Sequence, residues 1–135
     1  MKPIEQIEAR LQRHPSARYV VSTDRLRLDA PQDGGFSLSI GKADGAGWTV
    51  VFGQGLHCHF ADPEQATAFF FFGLSDHCRL REIRRGHTVC RAFAERRAGD
   101  SWQMVQETGL LLYPFWRRPS EYIFQNTLLS PGSQE

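Results

Sequence analysis

Histidine and cysteine are the side chains with the most uneven distribution along this chain. There are five histidines and three cysteines, and seven of these eight residues fall between positions 57 and 90. They are His57, Cys58, His59, His77, Cys78, His87 and Cys90, where an even scatter would place about two; only His14 lies outside. On an extended segment His57 and His59 project to the same side, a spacing common among metal ligands. A third ligand from a neighbouring strand, His87 or His77 with Asp62 or Asp76 behind them, would complete a zinc or iron site with one open position. The metal set this pattern points to is His57, His59 and His87. No HExxH or CxxC motif accompanies them, and two alternating histidines on a strand more often form a wet polar row.

The cysteines read more simply. Cys58 shares parity with Leu56 and Phe60, and Cys78 with Leu80, so both fit the pattern of small core residues. A nucleophilic thiol needs a cation or helix N-terminus to lower its pKa, and the sequence supplies neither reliably. An odd count with no CxxC argues for reduced thiols, and hence for a cytoplasmic setting.

A second uneven feature is basic. Residues 77–97 carry Arg79, Arg81, Arg84, Arg85, Arg91, Arg96 and Arg97 against Glu82 and Glu95, a local charge of +5. On a strand His77, Arg79 and Arg81 share one face, where guanidinium forks suit carboxylate or phosphate groups. Only Phe93 interrupts the run as a stacking aromatic, which argues against a nucleic-acid platform. The plain alternative is a solvated sheet face whose arginine stems cover apolar surface.

A third feature is polar residues set into apolar rows. Trp102, Met104, Gln106, Thr108, Leu110 and Leu112 share one parity, as do Tyr122, Phe124, Asn126 and Leu128. If those faces are buried, Gln106, Thr108 and Asn126 need partners, and a mostly apolar concavity with a few polar groups describes a small-molecule pocket. The chain carries no Walker loop, GxGxxG turn or GxSxG elbow, and no local carboxylate pair.

The elements that must hold these residues follow from periodicity. Pro3 to His14 has Ile4, Ile7 and Leu11 at helical spacing, with acids early and arginines late, and Pro15 stops it. Arg18 to Leu28 reads as a strand interrupted at Asp24, and Phe36 to Ile40 as a cleanly alternating one. From Trp48 the even positions run apolar through Val50, Phe52, Leu56, Cys58 and Phe60, with Gly53 and Gly55 permitting a bend. Asp62-Pro63-Glu64-Gln65 is a helix start, with Asp62 as N-cap and Pro63 in the first turn. That helix should reach about Leu74. Four consecutive phenylalanines cannot share one face, so it is either covered on two sides or lends Phe71 to a partner. Four antiparallel segments then follow, His77 to Arg84, Thr88 to Arg97, Trp102 to Tyr113 and Tyr122 to Leu129. From Trp48 onward this order of elements resembles cystatin-like and nuclear-transport-factor-like layouts, in which a curved sheet wraps a helix. The resemblance is one of element order and implies no residue's role.

The chain as a whole bounds the answer. Its 135 residues suit one domain, and a net charge of +1 gives no global field toward nucleic acid or membrane. No signal peptide or membrane-spanning run is expected, and Ser130 to Glu135 should fray beyond a domain of residues 1–129. The fold class is α+β: a curved, mostly antiparallel sheet with an N-terminal helix and a Phe-rich helix packed on it. The leading functional expectation is a small cytoplasmic ligand-binding or protein-interaction domain. Its pocket would lie between the Phe-rich helix and the strands after it, with candidate contacts His57, His59, His77, Arg79, Arg81, Gln106 and Asn126. A metal-dependent enzyme on His57 and His59 with an arginine-bound anionic substrate is the alternative. A homodimer through Phe71, Phe115 or Trp116, without ligand, is the third.

Overall fold

Hydrophobic alternation closes eight consecutive inward positions into one wall. A computed structural model describes residues 2–110 and 114–129. Helix α1 (Pro3–Leu11) is followed by β1 (Tyr19–Val21), β2 (Arg25–Leu28), β3 (Leu38–Lys42), β4 (Trp48–Phe52) and β5 (Leu56–Phe60). These five strands form one antiparallel sheet in chain order. Two cross-strand rows, Leu26–Ile40–Val50–Cys58 and Leu28–Leu38–Phe52–Leu56, line its inner face. All eight residues are buried. The run from Trp48 to Phe60 is a hairpin rather than one strand. Its loop, Gly53 to Gly55, is three residues long, so Phe52 pairs with Leu56 and the even positions stay on the core side.

Helix α2 (Pro63–Leu74) begins where the capping signal lies, with the Asp62 carboxylate accepting from the Glu64 amide at 2.9 Å. It lies across the inner face of this sheet, Phe69 stacked on Phe52 with ring centroids 4.5 Å apart. Gly73 makes that approach possible, because a Cβ there would come within 2.4 Å of the Phe52 ring. The other side of α2 is covered by α1, whose Arg10 guanidinium sits 4.7 Å over the Phe71 ring. The Phe-rich helix is thus covered on two sides.

The second sheet holds β6 (Cys78–Arg85), β7 (Thr88–Ala98), β8 (Ser101–Gly109) and β9 (Pro119–Phe124), in the spatial order β8-β7-β6-β9. Two expectations are corrected here. The α+β class holds, with the strands divided between two antiparallel sheets where a single one was expected. The last four strands are also not a simple meander, since β9 returns to pair with β6 rather than adding to β8. The edge of β8 is already engaged. The Thr108 hydroxyl accepts from the His57 amide at 3.0 Å and donates to the His57 carbonyl at 3.1 Å, joining β8 to β5. The free edge of β6 is the one left for β9.

After Phe124 the chain leaves the sheet and re-enters the core. Asn126 is fully buried, accepting from the Phe36 amide and donating to the carbonyls of Phe36 and Gly73. Leu129 bridges to Ser75. No helix among the described residues is long and apolar enough to cross a membrane. The expected frayed tail, residues 130–135, and the expected strand end at 111–113 lie outside the described residues.

Candidate anion-binding face

The same alternation that fills the core decides what the outer face of the five-stranded sheet presents. The residues between the buried ones form two outward rows in register. One is Arg27–Ser39–Val51–His57 and the other Arg25–Gly41–Thr49–His59. Each row has an arginine on β2, two short side chains in the middle and an imidazole on β5. Neighbouring strands lie about 4.8 Å apart, so arginine and histidine backbones stand roughly 14 Å apart across the sheet. Long side chains at both margins and short ones between them make a trough. Its larger section encloses about 490 Å³ beside Arg25, Gly41, Thr49, His57 and His59. A second section of about 210 Å³ continues over Arg27, Ser37 and Ser39.

Local contacts fix the walls. Arg25 lies along the sheet over Gly41, where an added Cβ would meet its Nε at 3.2 Å, so the glycine provides the room. His59 Nδ1 is 2.9 Å from the Thr49 hydroxyl, which orients that ring. The Thr108 bridge to its main chain holds His57 in place at the strand edge. Among the described residues neither Arg25 nor Arg27 makes an ion pair.

The second sheet is the opposite case. On its outer face Arg79 Nε is 2.7 Å from Glu95 Oε1, and Arg81 reaches Glu95 Oε2 at 3.3 Å and Glu121 at 3.2 Å. Arg91 pairs with Glu107. The guanidinium groups also stack on rings, Arg79 and Arg97 on Trp102, Arg81 and Arg91 on Phe93. Phe93 points outward yet is only 7% exposed, because the arginines cover it. The basic run of 77–97 therefore spends its charge on its own carboxylates and rings, the plainer of the two readings its sequence allows.

The sequence-derived candidates are distributed accordingly. His57 and His59 stand together in the trough. Arg79 and Arg81 are on the other sheet, in closed ion pairs. His77 is exposed just ahead of β6, and His87 lies in the turn between β6 and β7. The set His57, His59 and His87 does not assemble: among the described residues no three His, Cys, Asp or Glu side chains gather as a metal requires. Gln106 is partly buried on β8 opposite Ala94. Asn126 spends all three of its hydrogen bonds on backbone groups. The space between α2 and the second sheet, where a pocket was expected, is occupied by a continuous core running from Phe70 and Leu74 to Leu80, Ala92 and Ala94. Phe71 is half-buried under Arg10, whereas Phe115 and Trp116 are exposed and meet edge to face.

All three cysteines are buried free thiols. Burial pushes the Cys58 thiol up to about 11 and the Cys78 thiol higher still, the reverse of what a nucleophile needs. Sequence reasoning missed Arg25 and Arg27. Their signal is the short alternation Arg25-Leu26-Arg27-Leu28, which places two arginines on one wet face. That this face lies opposite His57 and His59 depends on two intervening strands. No protein-family model matches the chain, and neither curated proteins nor solved structures give a match to it.

Proposed function

We propose that this protein is a small binding domain whose ligand carries carboxylate or phosphate groups and lies along the outer face of the five-stranded sheet. The observation that carries this reading is the pair of arginines, Arg25 and Arg27, left without carboxylate partners beside a floor of small residues and opposite two imidazoles. Neither row contains an acidic residue; the one carboxylate lining the larger section is Asp44, in the turn after β3 and accompanied there by Lys42. Guanidinium groups present forked donors to an anion, and hydroxyls of Ser39 and Thr49 add neutral donors between them. His57 and His59 would close the far side with ring N–H donors. The trough has room for a ligand spanning both walls, which favours a di- or trianion over a single small ion.

The test is calorimetric titration with citrate and inorganic pyrophosphate at low ionic strength. Each charge-assisted contact contributes about 1.5–3 kcal/mol, so the Arg25→Ala/Arg27→Ala double variant should lose at least about a hundredfold in affinity. Arg97→Ala, on the other sheet, should bind as the parent does. Raising the salt should weaken binding, since the groups are exposed. Equal binding by parent and double variant would refute the assignment.

A further inference from the structure

Arginines cover aromatic rings of the second sheet. Arg81 lies 4.2 Å over the Phe93 ring, Arg79 4.6 Å over that of Trp102 and Arg84 4.4 Å over that of Tyr122. Phe115 and Trp116, in the connection between β8 and β9, do not share this cover. They are 73% and 72% exposed. Among the described residues no arginine stacks on either ring, although Arg117 and Arg118 follow directly in the chain.

The turn that carries these rings is firmly held. The Arg117 amide donates to the Pro114 carbonyl at 3.0 Å. Arg85 Nη1 donates to the Phe115 carbonyl at 3.1 Å and to the Arg117 carbonyl at 2.8 Å. Prolines 114 and 119 stiffen both ends, the second opening β9 in register with Arg85. All of these bonds end on the main chain of the turn, so the side chains of Phe115, Trp116, Arg117 and Arg118 take no part in them, and all four residues are exposed. Residues 108–120 include no acid. Neither Arg117 nor Arg118 makes an ion pair among the described residues. Two uncovered rings and two unanswered cations thus share one fixed turn.

We propose that the turn Pro114–Arg118 docks this protein on the surface of an anionic lipid bilayer. Phe115 and Trp116 enter the headgroup layer, and Arg117 and Arg118 pair with lipid phosphate and carboxylate groups. Charge complementarity selects this occupant, since guanidinium forks match those groups and an anionic leaflet attracts local cations. Tryptophan suits the boundary, its ring apolar and its indole N–H polar. Rings this exposed stand out from the surface, which fits a planar partner better than a peptide that needs a groove. A second copy of the chain fits worse, because an isologous contact sets the cationic turn against itself. The net charge of +1 supplies no long-range attraction, and no helix among the described residues is long and apolar enough to span a bilayer, so the attachment is local and peripheral. None of this rests on the trough.

The experiment is cosedimentation of the full chain with vesicles of two parts phosphatidylcholine to one part phosphatidylserine, and with vesicles of phosphatidylcholine alone. Binding to the anionic vesicles, weakened by salt and far weaker on the neutral ones, is expected. Arg117→Ala/Arg118→Ala should lose about 25-fold in affinity, at about fivefold for each arginine. Phe115→Ser/Trp116→Ser should lose about a hundredfold, at about tenfold for each ring. Both variants alter exposed side chains and should keep the parent's circular dichroism spectrum. Trp116→Phe should still bind but lose most of the fluorescence blue shift that the parent shows on vesicles. Arg25→Ala/Arg27→Ala should bind vesicles as the parent does, which separates this surface from the anion face. No binding, equal binding to both kinds of vesicle, or binding that survives Phe115→Ser/Trp116→Ser would each overturn the proposal. So would a dimer in vesicle-free solution that the same variant dissociates, or binding to polyglutamate as tight as to the anionic vesicles, which would give the turn to a second copy or to an acidic protein.

Discussion

Asn126 provides the sharpest test of how this molecule is held together, because the sequence offered it as a ligand contact and the structure makes it a brace. The side chain is completely buried. Its Oδ1 accepts from the Phe36 amide at 3.0 Å, and its Nδ2 donates to the Phe36 and Gly73 carbonyls, both at 3.1 Å. These partners fix the orientation of the amide, since one N–H requires an oxygen and two carbonyls require the NH2. One side chain thus ties the strand leading into β3, the end of α2 and the C-terminal segment. Asn126→Ala strands one buried N–H and two carbonyls. At about 1–3 kcal/mol for each buried group left unsatisfied, and with water re-entering to satisfy part of the set, the loss should be about 3 kcal/mol. That is a large share of the roughly 5–15 kcal/mol expected for a domain. With a urea m-value of about 1.5 kcal/mol/M, the midpoint should fall by about 2 M in equilibrium unfolding followed by circular dichroism. Asn126→Asp, nearly identical in shape, should cost at least as much, because it sets an oxygen against two carbonyl oxygens. A loss below about 1 kcal/mol for the alanine variant, or a milder effect for aspartate than for alanine, would refute the bracing argument.

Two further outcomes follow from the packing and the thiols. Gly73→Ala should destabilise by about 1–3 kcal/mol despite alanine's helix preference of about 1 kcal/mol, since the new methyl collides with the Phe52 ring; a stabilised variant in thermal unfolding would show that α2 shifts freely. Cys58 and Cys78 should resist thiol reagents at pH 8 in the native protein and react fully in denaturant. Their raised pKa values leave almost no thiolate until the pH approaches about 11 for Cys58, and rapid native labelling of either at pH 8 would contradict their burial.

The period of the sequence determined a good deal. Leu26, Leu28, Leu38, Ile40, Val50, Phe52, Leu56 and Cys58 read inward from alternation alone, since successive side chains on a strand point to opposite faces. Asp62 and Pro63 marked the start of α2 because capping is a local hydrogen-bond problem. The run of phenylalanines at 69–72 left two readings, a helix covered on two sides or one lending Phe71 to a partner, and the position of α1 over Phe71 decides for the first. Turns at Gly86 and Gly99, both with positive φ, separated β6, β7 and β8 where glycine was required. These are short-range properties, fixed by bond geometry and a few neighbouring residues.

Only the tertiary structure decided who faces whom. Arg25 and Arg27 stand across from His57 and His59 because two strands with short outward side chains lie between them, a relation spanning some 30 residues that no local period encodes. Arg79 and Arg81 look like ligand-binding arginines in sequence, but Glu95 and Glu121, brought beside them by β7 and β9, neutralise them. β9 returns to pair with β6, while the edge of β8 meets β5 at Thr108 and His57, pairings that no local pattern announces. Alternation specifies the face of a strand; its neighbours are chosen by which edges remain open once the sheets meet, and a charge is available to a ligand only when no strand partner has answered it.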